Sequence, residues 1–209
     1  MARYGMAVDV RRCIGCNACT ISCKSANNVP EGNLWTRCIV EGSDEIEPDV
    51  PLGEMPNPHM RWVTVGCQHC SKPACVEACP TGATWKDEET GIVRQDYDKC
   101  IGCQMCVAAC PYEGVRSYNE GDPKYAMAFA TGDADTPAHQ ANVVEKCTFC
   151  HQRVERGEVP ACMDLCPARA RFWGDLDDPE SEISKLVASR EYMQLLPEMG
   201  TEPNVFFLV

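Results

Sequence analysis

Residues 100–111 read CIGCQMCVAACP. Three cysteines, Cys100, Cys103 and Cys106, follow one another at two-residue gaps, and Cys110 comes three residues later with Pro111 behind it. This C-x2-C-x2-C-x3-C-P run is the spacing that holds [4Fe–4S] clusters. The tight turn brings three thiolates onto one cubane while backbone N–H groups point at the sulfurs. The fourth cysteine, about one helical turn further on, faces away from that cubane and ligates a second one. One such run therefore requires a partner run.

The chain supplies three more. Cys13, Cys16, Cys19 and Cys23 repeat the spacing, with Lys24 where the proline would stand. Cys67, Cys70, Cys75 and Cys79-Pro80 follow with a longer middle gap. Cys147, Cys150, Cys162 and Cys166-Pro167 close the series after an eleven-residue gap. Four runs make two ferredoxin-like units, but spacing leaves two interleavings open: adjacent runs pair, or the outer two pair around the inner two.

Seventeen cysteines in 209 residues fit a disulfide scaffold, a zinc protein or an iron–sulfur protein. The odd count and the dominance of C-x2-C pairs disfavour disulfides. Tetrahedral zinc takes separated pairs and has no use for a third cysteine two residues on. Aromatics are only 7% of the chain, so inorganic cores are expected to replace much of the apolar one. The net charge of −12, to which each oxidised cluster with its thiolates adds about −2, argues against nucleic acid and anionic lipid. The opening MARYGMAVDVRRC has no apolar leader core, and the closing VFFLV is too short to span a membrane.

Strands are expected over 4–10, 34–40, 61–65 and 204–209, and a hairpin over 81–94 around the turn at Glu89-Thr90-Gly91. Residues 41–60 read as a loop, 112–146 as a long insertion without period, 152–157 as a short helix and 180–196 as a helix. The fold class is α+β: two interleaved bacterial-ferredoxin-like units with loop insertions.

CIGCNACTISCK, CQHCSKPACVEACP, CIGCQMCVAACP and CTFCHQRVERGEVPACMDLCP together resemble the iron–sulfur subunits of the dimethyl sulfoxide reductase family of molybdopterin oxidoreductases. The resemblance implies nested pairing, with residues 1–60 and 140–209 as the outer unit and 61–139, including the insertion 112–139, as the inner one. Cys13, Cys16, Cys19 and Cys166 would hold cluster 1, and Cys23, Cys147, Cys150 and Cys162 cluster 2. Cys67, Cys70, Cys75 and Cys110 would hold cluster 3, and Cys79, Cys100, Cys103 and Cys106 cluster 4. Unlike the related nitrate reductase subunits, which carry a tryptophan in the third run, all sixteen positions here are cysteine.

The implied role is electron transfer in anaerobic respiration, without catalysis, through four [4Fe–4S] clusters. The outer unit would face a molybdenum or tungsten molybdopterin subunit, and the inner one a quinol-oxidising membrane anchor. Localisation follows the partners: membrane-associated through them, either cytoplasmic or exported folded with a catalytic subunit bearing a twin-arginine signal. The alternatives are the equivalent subunit of a hydrogenase or formate dehydrogenase, and a zinc-loaded structural protein.

Cys38 belongs to no run and reads as a buried structural thiol on a strand, ahead of a ligand or redox sensor. His69 and His151 replace no cysteine and read as neighbours of the sites or surface residues. Lys24, Lys72, Lys99 and Arg171 flank the runs and could raise a cluster's potential by their charge; ordinary salt bridges are the plainer reading. The four tryptophans read as packing.

Overall fold

The computed structural model describes residues 2–41 and 53–209. In chain order the elements are β1 (Tyr4–Asp9), α1 (Ala18–Ala26), β2 (Thr36–Val40), β3 (Trp62–Gly66), α2 (Ala74–Glu77), β4 (Thr84–Lys86), β5 (Val93–Gln95) and α3 (Met105–Ala108). They continue as β6 (Arg116–Tyr118), β7 (Val144–Lys146), α4 (His151–Glu155), α5 (Ala161–Asp164), β8 (Arg171–Asp175), α6 (Glu182–Ser189), β9 (Tyr192–Met193) and β10 (Val205–Leu208). The fold is α+β.

One four-stranded sheet, ordered β8-β1-β10-β9, joins the two ends of the chain. β1 runs parallel to β10, with Met6 opposite Val205, and antiparallel to β8, with Val8 opposite Arg171. Because side chains alternate along a strand, the sheet has two distinct faces. Met6, Val8, Val10, Val205 and Phe207 pack on the side of Cys19, Cys162 and Phe149. Ala7, Phe206 and Leu208 pack on the other side against Leu176 and Ile183 of the α6 segment. The sheet is thus a wall between a conventional helix layer and a cysteine layer.

Three two-stranded pairs complete the fold: β2 with β3, β4 with β5, and β6 with β7. β2–β3 runs across the boundary expected at residue 60, and β6–β7 across the one expected at 139, so both boundaries fall within hydrogen-bonded ribbons. Among the described residues no helix is long and apolar enough to cross a membrane.

Two expectations need correction. The helix expected over 180–196 stops at Ser189. Ser181 caps its start, its hydroxyl accepting from the Ser184 N–H at 3.1 Å. At its end Arg190 turns extended and its guanidinium reaches Asp9 at 2.6 Å, after which β9 joins the edge of β10. Here a tertiary ion pair and a free sheet edge override the helical period. The insertion 112–146 is also not structureless, since β6 and β7 bracket it, each only three residues long and below the reach of a periodicity argument. Its middle folds back on the end of α1, where Ala26 accepts hydrogen bonds from Asp133 N at 2.9 Å and Thr136 Oγ1 at 3.0 Å. The loop expected over 41–60 falls largely outside the described residues.

Ile183 is fully buried between α6 and the sheet. Ile183→Ala is expected to cost about 2–5 kcal/mol, read as an earlier unfolding midpoint in denaturant with no change in visible absorption, because this layer lies on the far side of the sheet from the cysteines.

Candidate metal centres

All seventeen cysteines are free thiols. The structure gathers the first and fourth runs around two cavities. Cys13, Cys16, Cys19 and Cys166 line one of them, with Cys38. Cys23, Cys147, Cys150 and Cys162 line the other, with Cys67 at its edge. The inner runs gather by mutual proximity. Cys70 and Cys110 each sit close enough to Cys67 and Cys75 for thiolate charges to repel. Cys106 stands in the same relation to Cys100, Cys79 and Cys75. Cys103 is exposed on the loop between Cys100 and Cys106. In each run, then, the fourth cysteine sits among thiols of a different run. Among the described residues no three His, Cys, Asp or Glu side chains converge on a single point as one ion would require.

Each C-x-x-C turn has the same backbone device. Its third residue has a positive φ: Gly15 (66°), His69 (43°), Gly102 (67°) and Phe149 (54°). This left-handed step turns successive N–H groups inward, the concave geometry that receives anions. Gly15 and Gly102 also have no room for a side chain. A Cβ at Gly15 would run into the Trp62 indole, and one at Gly102 into the carbonyl of Asn142. His69 and Phe149 occupy the left-handed position despite its strain. Their rings stack on each other at 3.6 Å where the second and fourth runs meet.

Hydrogen-bond donors are aimed at the sulfurs. Phe149 N–H reaches Cys147 Sγ and Ala170 N–H reaches Cys166 Sγ, both at 3.4 Å. Asn27 Nδ2 donates to Cys150 Sγ at 3.5 Å, and Arg171 to Cys162 Sγ at 3.5 Å. Burial pushes the Cys70 and Cys162 thiols up to about 11 and Cys110 to about 12, and drives Cys23 and Cys147 well upward. Such thiols stay ionised only against a strong positive charge. Sets of four thiols, with N–H donors aimed at several sulfurs and only Cys16 and Cys103 exposed, fit an iron–sulfur cubane by the chemistry of their donors.

The comparisons with known proteins agree. A family profile described as "4Fe-4S dicluster domain" matches residues 58–129 and 133–176, and one described as "4Fe-4S binding domain" matches 12–27. A protein of Halobacterium salinarum named as a dimethyl sulfoxide reductase iron–sulfur subunit is 45% identical, over all of this chain and 79% of its own length. The arsenate respiratory reductase iron–sulfur subunit of a Shewanella species is 37% identical over 99% of this chain and 96% of its own. A selenate reductase subunit of Mesobacillus selenatarsenatis is 36% identical over 97% and 70%.

The chain belongs to the iron–sulfur subunits of the dimethyl sulfoxide reductase family.

Members of this family carry electrons within oxidoreductase complexes and are not their catalytic subunits. The structure also places the residues that flank the runs. Cys38 is half-buried rather than buried, and its thiol is in hydrogen-bond contact with Cys13, a contact that lowers the Cys13 thiol to about 6. His69 is wholly buried, its Nδ1 accepting from the Val93 N–H at 3.1 Å. Burial, with Lys146 and Arg116 nearby, keeps it neutral. Lys72 and Lys99 are ordinary surface ion pairs, with Glu202 and Asp96. Asn27, His139, Glu145, Arg116 and Lys146 went unnoticed in the sequence, because only tertiary structure brings them to the sites.

His139 and Glu145 form a buried pair beside this layer. His139 Nδ1 lies 2.6 Å from Glu145 Oε1, and its Nε2 is 2.8 Å from the carbonyl of Asn27. Burial opposes protonation of His139, but the Glu145 carboxylate outweighs it and raises the pKa above 6.5. A raised folded-state pKa gives stabilisation that is fully present below about 6.5 and is lost as pH climbs through the folded value. His139→Ala is therefore expected to cost on the order of 3–5 kcal/mol at pH 6 and distinctly less at pH 9, read from paired thermal unfolding of wild type and variant. Gly102→Ala is expected to lose about 1–2 kcal/mol from the left-handed backbone alone. The collision with Asn142 adds to that loss, measured as a lower melting temperature and reduced iron per chain.

Proposed function

We propose that the chain holds four [4Fe–4S] clusters and passes single electrons between a molybdopterin catalytic subunit and a quinol-linked membrane anchor or other redox partner. The ligand sets would be Cys13, Cys16, Cys19 and Cys166; Cys23, Cys147, Cys150 and Cys162; Cys67, Cys70, Cys75 and Cys110; and Cys79, Cys100, Cys103 and Cys106. A cluster so held accepts and returns one electron at a time. The protein's part is to fix the spacing, exclude water and set each potential by hydrogen bonds and charge.

The observation that carries this reading is the end-to-end order of the four sets. Cys19 of the first adjoins Cys162 of the second, Cys147 of the second adjoins Cys67 of the third, and Cys75 of the third adjoins Cys106 of the fourth. The two terminal sets reach the surface at their turns. Cys16 and Cys103 are exposed, and Ile14 and Ile101 beside them are 60% and 65% exposed. A line of sites buried in the middle and open at both ends suits a relay with two partners. The relatives' names, reductases of dimethyl sulfoxide, arsenate and selenate, favour a terminal reductase over a hydrogenase. Membrane association would then come through the anchor.

Metal analysis of the anaerobically purified complex tests the reading. About sixteen irons per chain, with one molybdenum or tungsten from the partner, are expected; zinc in place of iron would refute it. Cys110→Ser is expected to perturb the cluster of the second run and Cys79→Ser that of the third. Each variant acting on its own run's cluster would overturn the nested ligand sets.

A further inference from the structure

Three cations are buried beside the thiol sets, and among the described residues none has a carboxylate partner. Arg171 and Arg116 are each 6% exposed and Lys146 is 1% exposed. Lys146 is satisfied by carbonyls: its Nζ donates to the Cys147 carbonyl at 2.9 Å and to that of Val93. The two arginines are not so satisfied, since Nη2 of each has no hydrogen-bond partner. An unpaired buried guanidinium costs several kcal/mol, so a compensating negative charge must lie beside it.

The surroundings identify that charge. Arg171 forms part of the walls of both outer cavities. Its Nη1 donates to Cys162 Sγ at 3.5 Å and to Met6 Sδ at 2.9 Å, and its guanidinium also reaches Cys19. It therefore touches one thiol of each outer set. Arg116 does the same in the inner unit: it hydrogen-bonds Cys75, lies beside Cys106 and Cys67, and among the described residues its side chain otherwise hydrogen-bonds only Gln95 Oε1, at 3.4 Å. Arg116 also stands directly opposite Lys146 across β6–β7. Two buried like charges at opposed positions destabilise a ribbon unless an anion lies between or beside them. Each unit thus contains one arginine, first in its strand, between its two thiol sets.

We propose that Arg171 and Arg116 are the internal counter-ions of the clusters, each offsetting the negative charge of the two clusters that flank it and holding their reduction potentials up. This rests on the four-cluster reading above. Each added electron makes a cluster more negative, and a fixed guanidinium stabilises that reduced form. The effect is strongest on one pair, because each arginine touches the thiols of one unit only.

The test is an EPR-monitored redox titration of the anaerobically purified complex carrying Arg171→Gln, Arg116→Gln, or the Lys replacement at either position, with iron counted in each. Arg171→Gln is expected to lower two of the four reduction steps, each by at least tenfold in the reduced-to-oxidised ratio at fixed potential, or 59 mV. Arg116→Gln is expected to lower the other two, and the Lys variants, which keep the charge, to recover most of either shift. Steps unmoved at full iron content, the same steps moved by both Gln variants, or Lys variants shifted as far as Gln would each overturn the proposal. If a Gln variant loses its clusters, retention of all iron by the matching Lys variant supports a charge role, and loss in both overturns it. Wild-type protein without iron would instead refute the four-cluster reading itself.

Discussion

Everything else in the molecule depends on the fact that one short helix serves two neighbouring sites. The third and fourth cysteines of a run are four residues apart, which on an α-helix is a displacement of about 6 Å along the axis. Cys19 and Cys23 on α1 show the consequence: one lines the cavity with Cys13 and Cys166, the other the cavity with Cys147 and Cys162. In the nested ligand sets proposed above, each run would likewise take its last sulfur from another. That exchange would tie distant parts of the chain together. α1 lies against α5, and α2 against α3.

The elements themselves are too small to stand alone. α2, α3 and α5 have four residues each, and β4 to β7 three each. Isolated helices of that length are not stable in water, and two-stranded ribbons are marginal at best. A conventional core exists on one side of the β8-β1-β10-β9 sheet, where Ile183, Phe206 and Leu208 meet. On the other side Met6, Val8, Val63, Ile92 and Val205 pack with Cys19, Cys162 and the Phe149 and Phe207 rings, and Arg171 lines the cavities beyond them. Apolar packing there would be joined by charge balance, the thiolates of a bound cluster standing against Arg171, Arg116 and Lys146. The surface acidity of the chain and its buried basicity are thus separate features with separate causes.

The sequence disclosed the four runs, the α+β class, the first and last strands and the hairpin around Gly91, because each rests on local spacing or alternation. It left the partnering of the runs open, since C-x2-C spacing is blind to which run lies opposite. It overran α6, because the period through Leu195 and Leu196 continues past the point where Arg190 is captured by Asp9. Among the flanking cations Arg171 was visible but indistinguishable from Lys72 and Lys99. What separates them is burial and the lack of a carboxylate, neither of which is a property of local sequence. Arg116 follows the third run, which supplies its neighbour Cys106, but nothing in the local sequence ties it to Cys75 and Cys67 of the second.

One distinction was legible and acquires its meaning only from the fold. The first and third runs share the turn CIGC, whereas the second and fourth read CQHC and CTFC. All four need a left-handed third residue, and glycine provides it without strain. Gly15 and Gly102 also leave no room for a side chain, against Trp62 and the Asn142 carbonyl, while Ile14 and Ile101 beside them stand exposed. His69 and Phe149 accept the strain because their rings have each other, stacked at 3.6 Å in the interior. The residue chosen at this one position therefore separates the turns that meet at the centre of the molecule from those that open at its two ends. In the relay proposed above, the aromatic turns would close the junction between the halves, and the glycine turns, each with an apolar neighbour, would face the two partners.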